Sequence, residues 1–190
     1  DGWRSVYGLL AVSTVFLMVP LAFMLRRKVS AETSKLSDAL SERRREKVNI
    51  SPNLIVILLS LAGVGCCVAM SMPQVHIVAF CVDLGYGPSA GAEMLSLMLI
   101  GGIISRLISG VLADRIGGLF TLLIGSTLQC VALFLYLPFD GLVPLYLISL
   151  VFGLSQGGIV PSYAIIVREY LPGVSAGEKV GVVMMATIMG

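Results

Sequence analysis

The residue with the most chemistry to offer in this sequence is an arginine in the middle of an apolar run. Arg106 lies within Leu99 to Leu119, which reads LIGGIISRLISGVLADRIGGL. A guanidinium buried in a membrane span is costly and by default faces a bundle interior or a water-filled cavity. If Asp114 marks the interface, the offset of eight residues, at about 1.5 Å each, sets Arg106 roughly 12 Å into a core of about 30 Å. Snorkelling back to the headgroups would use most of the side chain. Gly102, Arg106 and Gly110 recur at four-residue spacing, and Ser105, Ser109 and Ala113 form an adjacent stripe of small residues. Small side chains let backbones approach closely, and they also leave room for a ligand. A carboxylate suits that place, because a guanidinium holds it through two parallel hydrogen bonds. The other reading is a guanidinium satisfied internally, by carbonyls or by an acid on a helix outside this piece of the protein.

Further polar candidates lie on other runs. Gln156 stands twelve residues, about 18 Å of helix, before Arg168 and so reaches nearly the depth of Arg106; Tyr163, seven residues on, is expected on the same face. Either could line a pathway or make an ordinary interhelical hydrogen bond. Gln74 and His76 follow Pro73 near the outer end of a run too long to be straight, so a kink or tilt is expected there. A histidine near an outer gate could titrate around neutral pH, and a lone satisfied histidine is the plainer alternative. Asp83 and Glu93 flank the turn Gly85-Tyr86-Gly87-Pro88 and read as solvated, with Glu93 favourable near a helix start. Glu169 is expected to pair with Arg115 or Arg168. The cysteines Cys66, Cys67, Cys81 and Cys130 show no C-x-x-C pair or histidine at ligand spacing, so they read as small buried hydrophobes, and no metal or cofactor is indicated. Nucleophile–base pairs, H-E-x-x-H and paired carboxylates on a span are all missing, so the sequence does not read as an enzyme.

Long apolar helices must carry these residues. The chain has 190 residues, 57% hydrophobic, with 24 charged side chains, and a mean hydropathy of +0.96. A soluble domain carries about twice that charged fraction. Half of the charges, eight basic and four acidic, fall between Arg26 and Lys47. Around that cluster, Ser5–Leu25, Val48–Val82, Ile116–Phe139 and Gly141–Val167 hold no charged residue, and Ser89–Ala113 holds only Glu93 and Arg106. Each is long enough to cross a bilayer as a helix of roughly 20 residues, and Val180–Gly190 begins another. Helices are required, since an open sheet edge would leave backbone donors unpaired in hydrocarbon, and the short alternating strands of a barrel do not appear. The expectation is an all-α membrane protein with five complete spans and one partial one, read as a piece of a longer chain.

Eleven of the thirteen basic residues collect on one side if the Arg26–Lys47 loop is cytoplasmic and the spans alternate. That is the positive-inside distribution, and it makes the chain multi-pass in a cell membrane, plasma or bacterial inner. Nothing beyond the loop charge suggests nucleic-acid binding. The loop itself reads as a solvated linker, or as a helix with Leu36, Ala39, Leu40 and Val48 near one face and Arg43, Arg44, Arg45 and Lys47 available to anionic headgroups.

The short connection Gly110-Val-Leu-Ala-Asp114-Arg115-Ile-Gly117 resembles the G-x-x-x-D-R-x-G loop signature of the major facilitator superfamily, in the copy joining the second and third helices of a six-helix half. Gly2-Trp3-Arg4 before a span resembles the start of the sixth helix. The charged loop resembles the linker between halves, and Phe152-Gly153-Leu154 through Pro161 to Arg168-Glu169-Tyr170-Leu171-Pro172 resembles the tenth helix. The resemblance implies helices six to ten and the start of eleven: 1–25 as the last helix of the first bundle, 26–52 as a cytoplasmic linker, and 53–190 as the second bundle. It implies a secondary transporter working by alternating access, with no enzymatic activity and functional as a monomer. It further implies that Asp114 caps a helix N-terminus, that Arg115 joins a cytoplasmic charge network, and that Gly110, Gly117 and Glu169 belong to the gating region. Gly118, Leu119 and Phe120 stand where the fullest pattern has more basic residues, which implies a weaker latch. Gln129 falls on a helix the family uses as scaffold. An arginine midway along the eighth helix, four residues before the signature glycine, resembles the monocarboxylate transporter and oxalate/formate exchanger group, where it is taken to pair with the substrate carboxylate. That implies a small organic anion for Arg106, with Gln156, Tyr163, Gln74 and His76 as companions and protons or a counter-anion as the coupled species. In the animal monocarboxylate branch an aspartate lies one turn earlier, where this chain has Gly102. The alternative is a transporter of the same superfamily for a neutral or cationic solute, with Arg106 as internal glue.

Overall fold

The computed structural model describes residues 2–24, 31–48 and 50–190. The described chain is helical: α1 (Gly2–Met24), α2 (Ala31–Val48), α3 (Pro52–Asp83), α4 (Gly87–Ile116), α5 (Gly118–Leu135), α6 (Leu142–Gln156), α7 (Ile159–Tyr170) and α8 (Gly173–Ile188). Among the described residues five segments are long and apolar enough to cross a membrane: Arg4–Met24, Pro52–Asp83, Gly87–Ile116, Gly118–Leu135 and the α6–α7 pair, Leu142–Tyr170. These are the expected spans. The chain divides into two compact units, Asp1–Leu36 and Ser37–Gly190.

Local sequence explains where the helices of the second unit start and stop. Ser51 caps α3, its hydroxyl accepting from the Leu54 amide at 3.3 Å, and Pro52 at the first helical position loses no intrahelical bond. At 32 residues α3 is about 48 Å long, more than a hydrocarbon core needs, so it tilts or extends beyond it. A single residue, Gly117, separates α4 from α5, at φ 86° and ψ 162°. Only glycine occupies that region without strain. Gly117→Ala is therefore expected to destabilise the full-length protein by about 1–3 kcal/mol, read as a lower midpoint of thermal unfolding in detergent.

Two apolar clusters hold the second unit together. One joins α3, α5, α7 and α8 through Ile55, Leu59, Leu122, Ile159, Tyr163, Val167 and Val183. The other joins α3, α4, α5 and α6 through Ile77, Cys81, Met94, Met98, Ala132, Leu145 and Phe152. Outside these clusters large apolar side chains remain exposed, among them Leu107, Phe134 and Leu137. On a soluble protein such a surface would drive aggregation, whereas against lipid it is the expected solvent-facing side.

Lipid gives helices no hydrophobic reason to associate, so close packing must supply it. Glycine does this between α4 and the α6–α7 pair. A Cβ on Gly153 would lie 2.5 Å from the Met98 carbonyl oxygen, and one on Gly101 would lie 3.1 Å from the Gly153 backbone. One on Gly157 would lie 2.4 Å from the Gly102 oxygen and 2.8 Å from the Arg106 nitrogen, and one on Gly158 would lie 2.1 Å from the Ser109 hydroxyl. The small stripe read from the sequence is thus the surface on which α6 and α7 sit. Gly110, at the end of that series, instead has nothing within 4 Å of an added Cβ and is exposed.

Most described side chains of the charged segment are exposed, among them Lys35, Ala39, Glu42, Arg43 and Arg44. The segment is helical from Ala31 to Val48, and its Ser37–Val48 part belongs to the second unit. The docked side is not the leucine face. Leu36 and Leu40 are exposed, whereas Ser41 is buried, because polar groups at Asp38 and Arg44 make the contacts described below. The side chains of Arg45, Lys47 and Val48 lie outside the described residues.

Candidate functional site

The glycine contacts bring three polar residues to the middle of the second unit. Helix α6 stops at Gln156, Gly157 and Gly158 form a turn, and α7 begins at Ile159. Because α6 lies so close to α4, the Gln156 amide nitrogen sits 3.6 Å from the place a Cβ on Gly102 would take, one turn of α4 from Arg106. Helix α3 contributes Gln74, just after the buried Pro73. Its Nε2 donates to Gln156 Oε1 at 2.7 Å, and Gln156 Nε2 donates to the Met98 carbonyl oxygen at 3.4 Å. Three helices are thereby tied by one amide chain, half-buried at Gln74 and buried at Gln156. Replacing Gln74 with Leu would leave Gln156 Oε1 without its partner at a buried position, a loss of about 1–3 kcal/mol. A lower unfolding midpoint in detergent, with Gln74→Glu restoring less than half of it, is the expected measurement.

Arg106 shares this level but not this bonding. Its backbone packs under Gly157, yet its side chain is exposed on α4 and makes no hydrogen bond or ion pair among the described residues. It lies ten residues, about 15 Å, from the Ile116 end of α4. A guanidinium at that depth, one helical turn from the Gly102 position that faces the Gln156 amide, can receive an anion.

The other sequence candidates are distributed differently. Tyr163 does not share a face with Gln156, because the Gly157–Gly158 turn ends α6 and resets the helix phase. Its ring is fully buried in the α3, α7 and α8 cluster against Gly63, and its hydroxyl makes no hydrogen bond. His76 is exposed and points away from Gln74, two residues earlier, into an apolar cavity of about 480 Å³ between α3 and α5 walled by Met72, Phe80, Cys130, Phe134 and Leu137. Cys130 on that wall is exposed, unlike the buried Cys81. Asp114 and Arg115 are exposed and make no hydrogen bond or ion pair among the described residues.

Glu169 takes a different partner from either one expected. Its carboxylate accepts from the Gly118 amide at 3.2 Å, capping α5, and stands 3.5 Å from the Arg44 guanidinium of α2. The chain leaves α7 at Tyr170 and puts Glu169 beside the exposed amides of the α5 N-terminus, an arrangement favoured by the helix dipole. Asp114, on the last turn of α4, is on the wrong side of Gly117 to do the same. Glu93 also has a partner, the Tyr146 hydroxyl of α6, which donates to its carboxylate. Gln129 donates to the Cys66 carbonyl oxygen at 3.3 Å and braces α5 on α3.

Five membrane-length segments, glycine-packed α4 and α6, a D-R loop closed by Gly117 and a mid-span arginine are the features, among the described residues, of a polytopic helical membrane protein of the major facilitator type. The Major Facilitator Superfamily family model matches residues 1–190, and the chain belongs to that superfamily. It is similar to monocarboxylate transporter 13 of Bos taurus, 33% identical over 92 residues, which is 47% of this chain and 22% of that protein. It is similar also to monocarboxylate transporter 13 of Rattus norvegicus, 32% identical over 92 residues and with the same shares. The match thus spans about a fifth of the length of these curated relatives. No solved structure matches the chain.

Proposed function

We propose that this chain is part of a secondary transporter that moves a small organic anion, a monocarboxylate, across a cell membrane by alternating access. In this reading α1 is the last helix of a first bundle and α3 to α8 belong to the second, with the α2 linker on the cytoplasmic side. The observation that supports it best is Arg106: an exposed guanidinium at mid-span with no partner among the described residues. The substrate carboxylate binds Arg106, and the Gln74–Gln156 pair one turn away takes a second polar group of the solute. Gly110, Asp114, Arg115, Gly117 and Glu169 form the gate at the α4–α5 end. Tyr163 and His76 act from outside the first contact layer, as a core brace and as an outer-end cavity residue. The site one turn before Arg106 is Gly102, covered by the Gln156 amide, so a proton or counter-anion is coupled through another group. The superfamily membership and the partial similarity to proteins named monocarboxylate transporters support the substrate class.

The test is uptake of a labelled short-chain monocarboxylate into liposomes containing the full-length protein. Unlabelled carboxylates are expected to compete and the corresponding neutral amides are not. Equal competition by the amides would remove the anion from the reading.

A further inference from the structure

Three helix ends meet the linker at one place. Asp38 Oδ1 of α2 accepts from the Gly173 amide, at the start of α8, at 2.7 Å. Two turns further along α2, Arg44 lies 3.5 Å from Glu169 on the last turn of α7, and Glu169 in turn accepts from Gly118 at the start of α5. Between these contacts Ser41 is buried at 4% exposure, its hydroxyl turned back to the Asp38 carbonyl oxygen at 2.8 Å. The seat is shaped for the acid: a Cβ on Gly173 would stand 2.9 Å from Asp38 Oδ1. Two helix N-termini, α5 and α8, are therefore each met by a carboxylate, and α2 joins both through Asp38 directly and Arg44 indirectly.

The strength of this contact is unequal along its length. The Arg44 side chain is 54% exposed against 19% for Glu169, so water screens that ion pair and little holding force comes from it. Asp38 at the α8 N-terminus has a charged acceptor, a short bond and a favourable helix dipole. Among the described side chains of α2 the contacts are polar, and Leu36 and Leu40 are exposed rather than docked. A contact held, among the described residues, by a few polar groups can open and close within a transport cycle.

From these contacts we infer that the Ser37–Val48 part of α2 is a detachable clip: seated through Asp38 on Gly173 and through Arg44 on Glu169, it holds the linker-side ends of α5, α7 and α8 together, and its release lets them part. The basic residues that the D-R loop lacks after Gly117 are thus supplied from the linker, by Arg44. Because a state is favoured only by contacts it does not share with its alternative, the clip biases the transport cycle toward the arrangement in which those ends are closed. This goes beyond the substrate reading and does not depend on which solute is moved.

The experiment measures linker opening in the full-length protein in lipid nanodiscs, where both faces are open to protease, from the initial rate of trypsin cleavage at Arg43-Arg44-Arg45. When reclosing is fast relative to cleavage, that rate follows the open population. Asp38→Ala is expected to raise it about five- to tenfold, the size of a lost helix cap. Gly173→Ala is expected to raise it comparably, since the methyl takes the place of Asp38 Oδ1, although alanine is the better helix former. The double variant D38A/G173A is expected to cleave no faster than D38A alone, because both remove one contact. Equal cleavage of the parent protein and D38A, or additive effects of the two substitutions, would overturn the seated clip. The gating role requires also that D38A change the ratio of exchange to net uptake of a labelled monocarboxylate; faster cleavage with an unchanged ratio would make α2 a strut and overturn that role. Should the parent protein take up no monocarboxylate, the substrate reading fails, and the cleavage result still decides the clip.

Discussion

Replacing Arg106 with Gln is expected to reduce carboxylate uptake by the full-length protein at least about 30-fold while leaving membrane insertion and yield intact. The magnitude follows from the 2–5 kcal/mol typical of truncating one member of a desolvated, hydrogen-bonded charge pair. Insertion is spared because the guanidinium has no partner among the described residues and its removal takes a charge out of the hydrocarbon layer. Arg106→Lys separates charge from geometry. An ammonium keeps the positive potential and loses the planar fork, so it should recover only part of the uptake. Normal uptake in Arg106→Gln, at limiting and at saturating substrate, would end the assignment. Loss of uptake together with loss of protein would instead mark the arginine as structural.

The largest effect on the fold is expected from Gly157→Ala. An added methyl would meet the Gly102 carbonyl oxygen at 2.4 Å and the Arg106 nitrogen at 2.8 Å. Both are helix backbone and cannot rotate away, so α4 and the α6–α7 turn must separate. Overpacking of this kind costs about 1–3 kcal/mol where side chains can adjust, and the upper end or more is expected against backbone. Gly102→Ala is the matched control. It lies in the same interface, but its methyl would meet Gln156 Nε2 at 3.6 Å, an ordinary contact. Thermal unfolding of the two variants in detergent should show a clear loss of midpoint for Gly157→Ala and a small change for Gly102→Ala. Equal losses would mean that the interface does not depend on backbone approach at Gly157. The separation caused by Gly157→Ala would also move the Arg106 backbone, so uptake should fall with it even though no polar group is altered.

These two residues illustrate different relations between sequence and site. Arg106 stood out from the sequence because charge is rare in apolar runs, and an isolated cation at helical depth has few explanations. Two neighbouring small stripes, Gly102 with Gly110 and Ser105 with Ser109 and Ala113, are likewise visible, since small residues at helical spacing mark a face, and only Gly102, Ser105 and Ser109 of them meet the α6–α7 turn. The partner of that face is not. That Gly153, Gly157 and Gly158 fill it depends on how α4 and α6 cross, and long-range packing leaves no local signal. The run Gly141–Val167 reads as one continuous span. Whether it would bend or break decided the fate of Tyr163, and the break at Gly157–Gly158 turned its ring into the core rather than toward Arg106.

Charge pairing was the least legible part. A carboxylate on a helix end has several cations on its own side of the membrane, and that shared side points to Arg115 and Arg168 for Glu169. The folded chain set Glu169 beside the amide of Gly118 and the guanidinium of Arg44, 125 residues away in sequence. The same holds for Asp38 on Gly173 and for Gln74 on Gln156. Solvation alone was enough to establish the membrane setting, the helical class and the five spans, since each follows from the free energy of moving a run of residues, taken singly, into hydrocarbon. Polar partners are chosen by geometry among distant segments, and hydrogen bonds and ion pairs form only between atoms that packing has already brought within about 3 Å. The amide chain at mid-span and the seat of the linker helix are accordingly products of the tertiary structure.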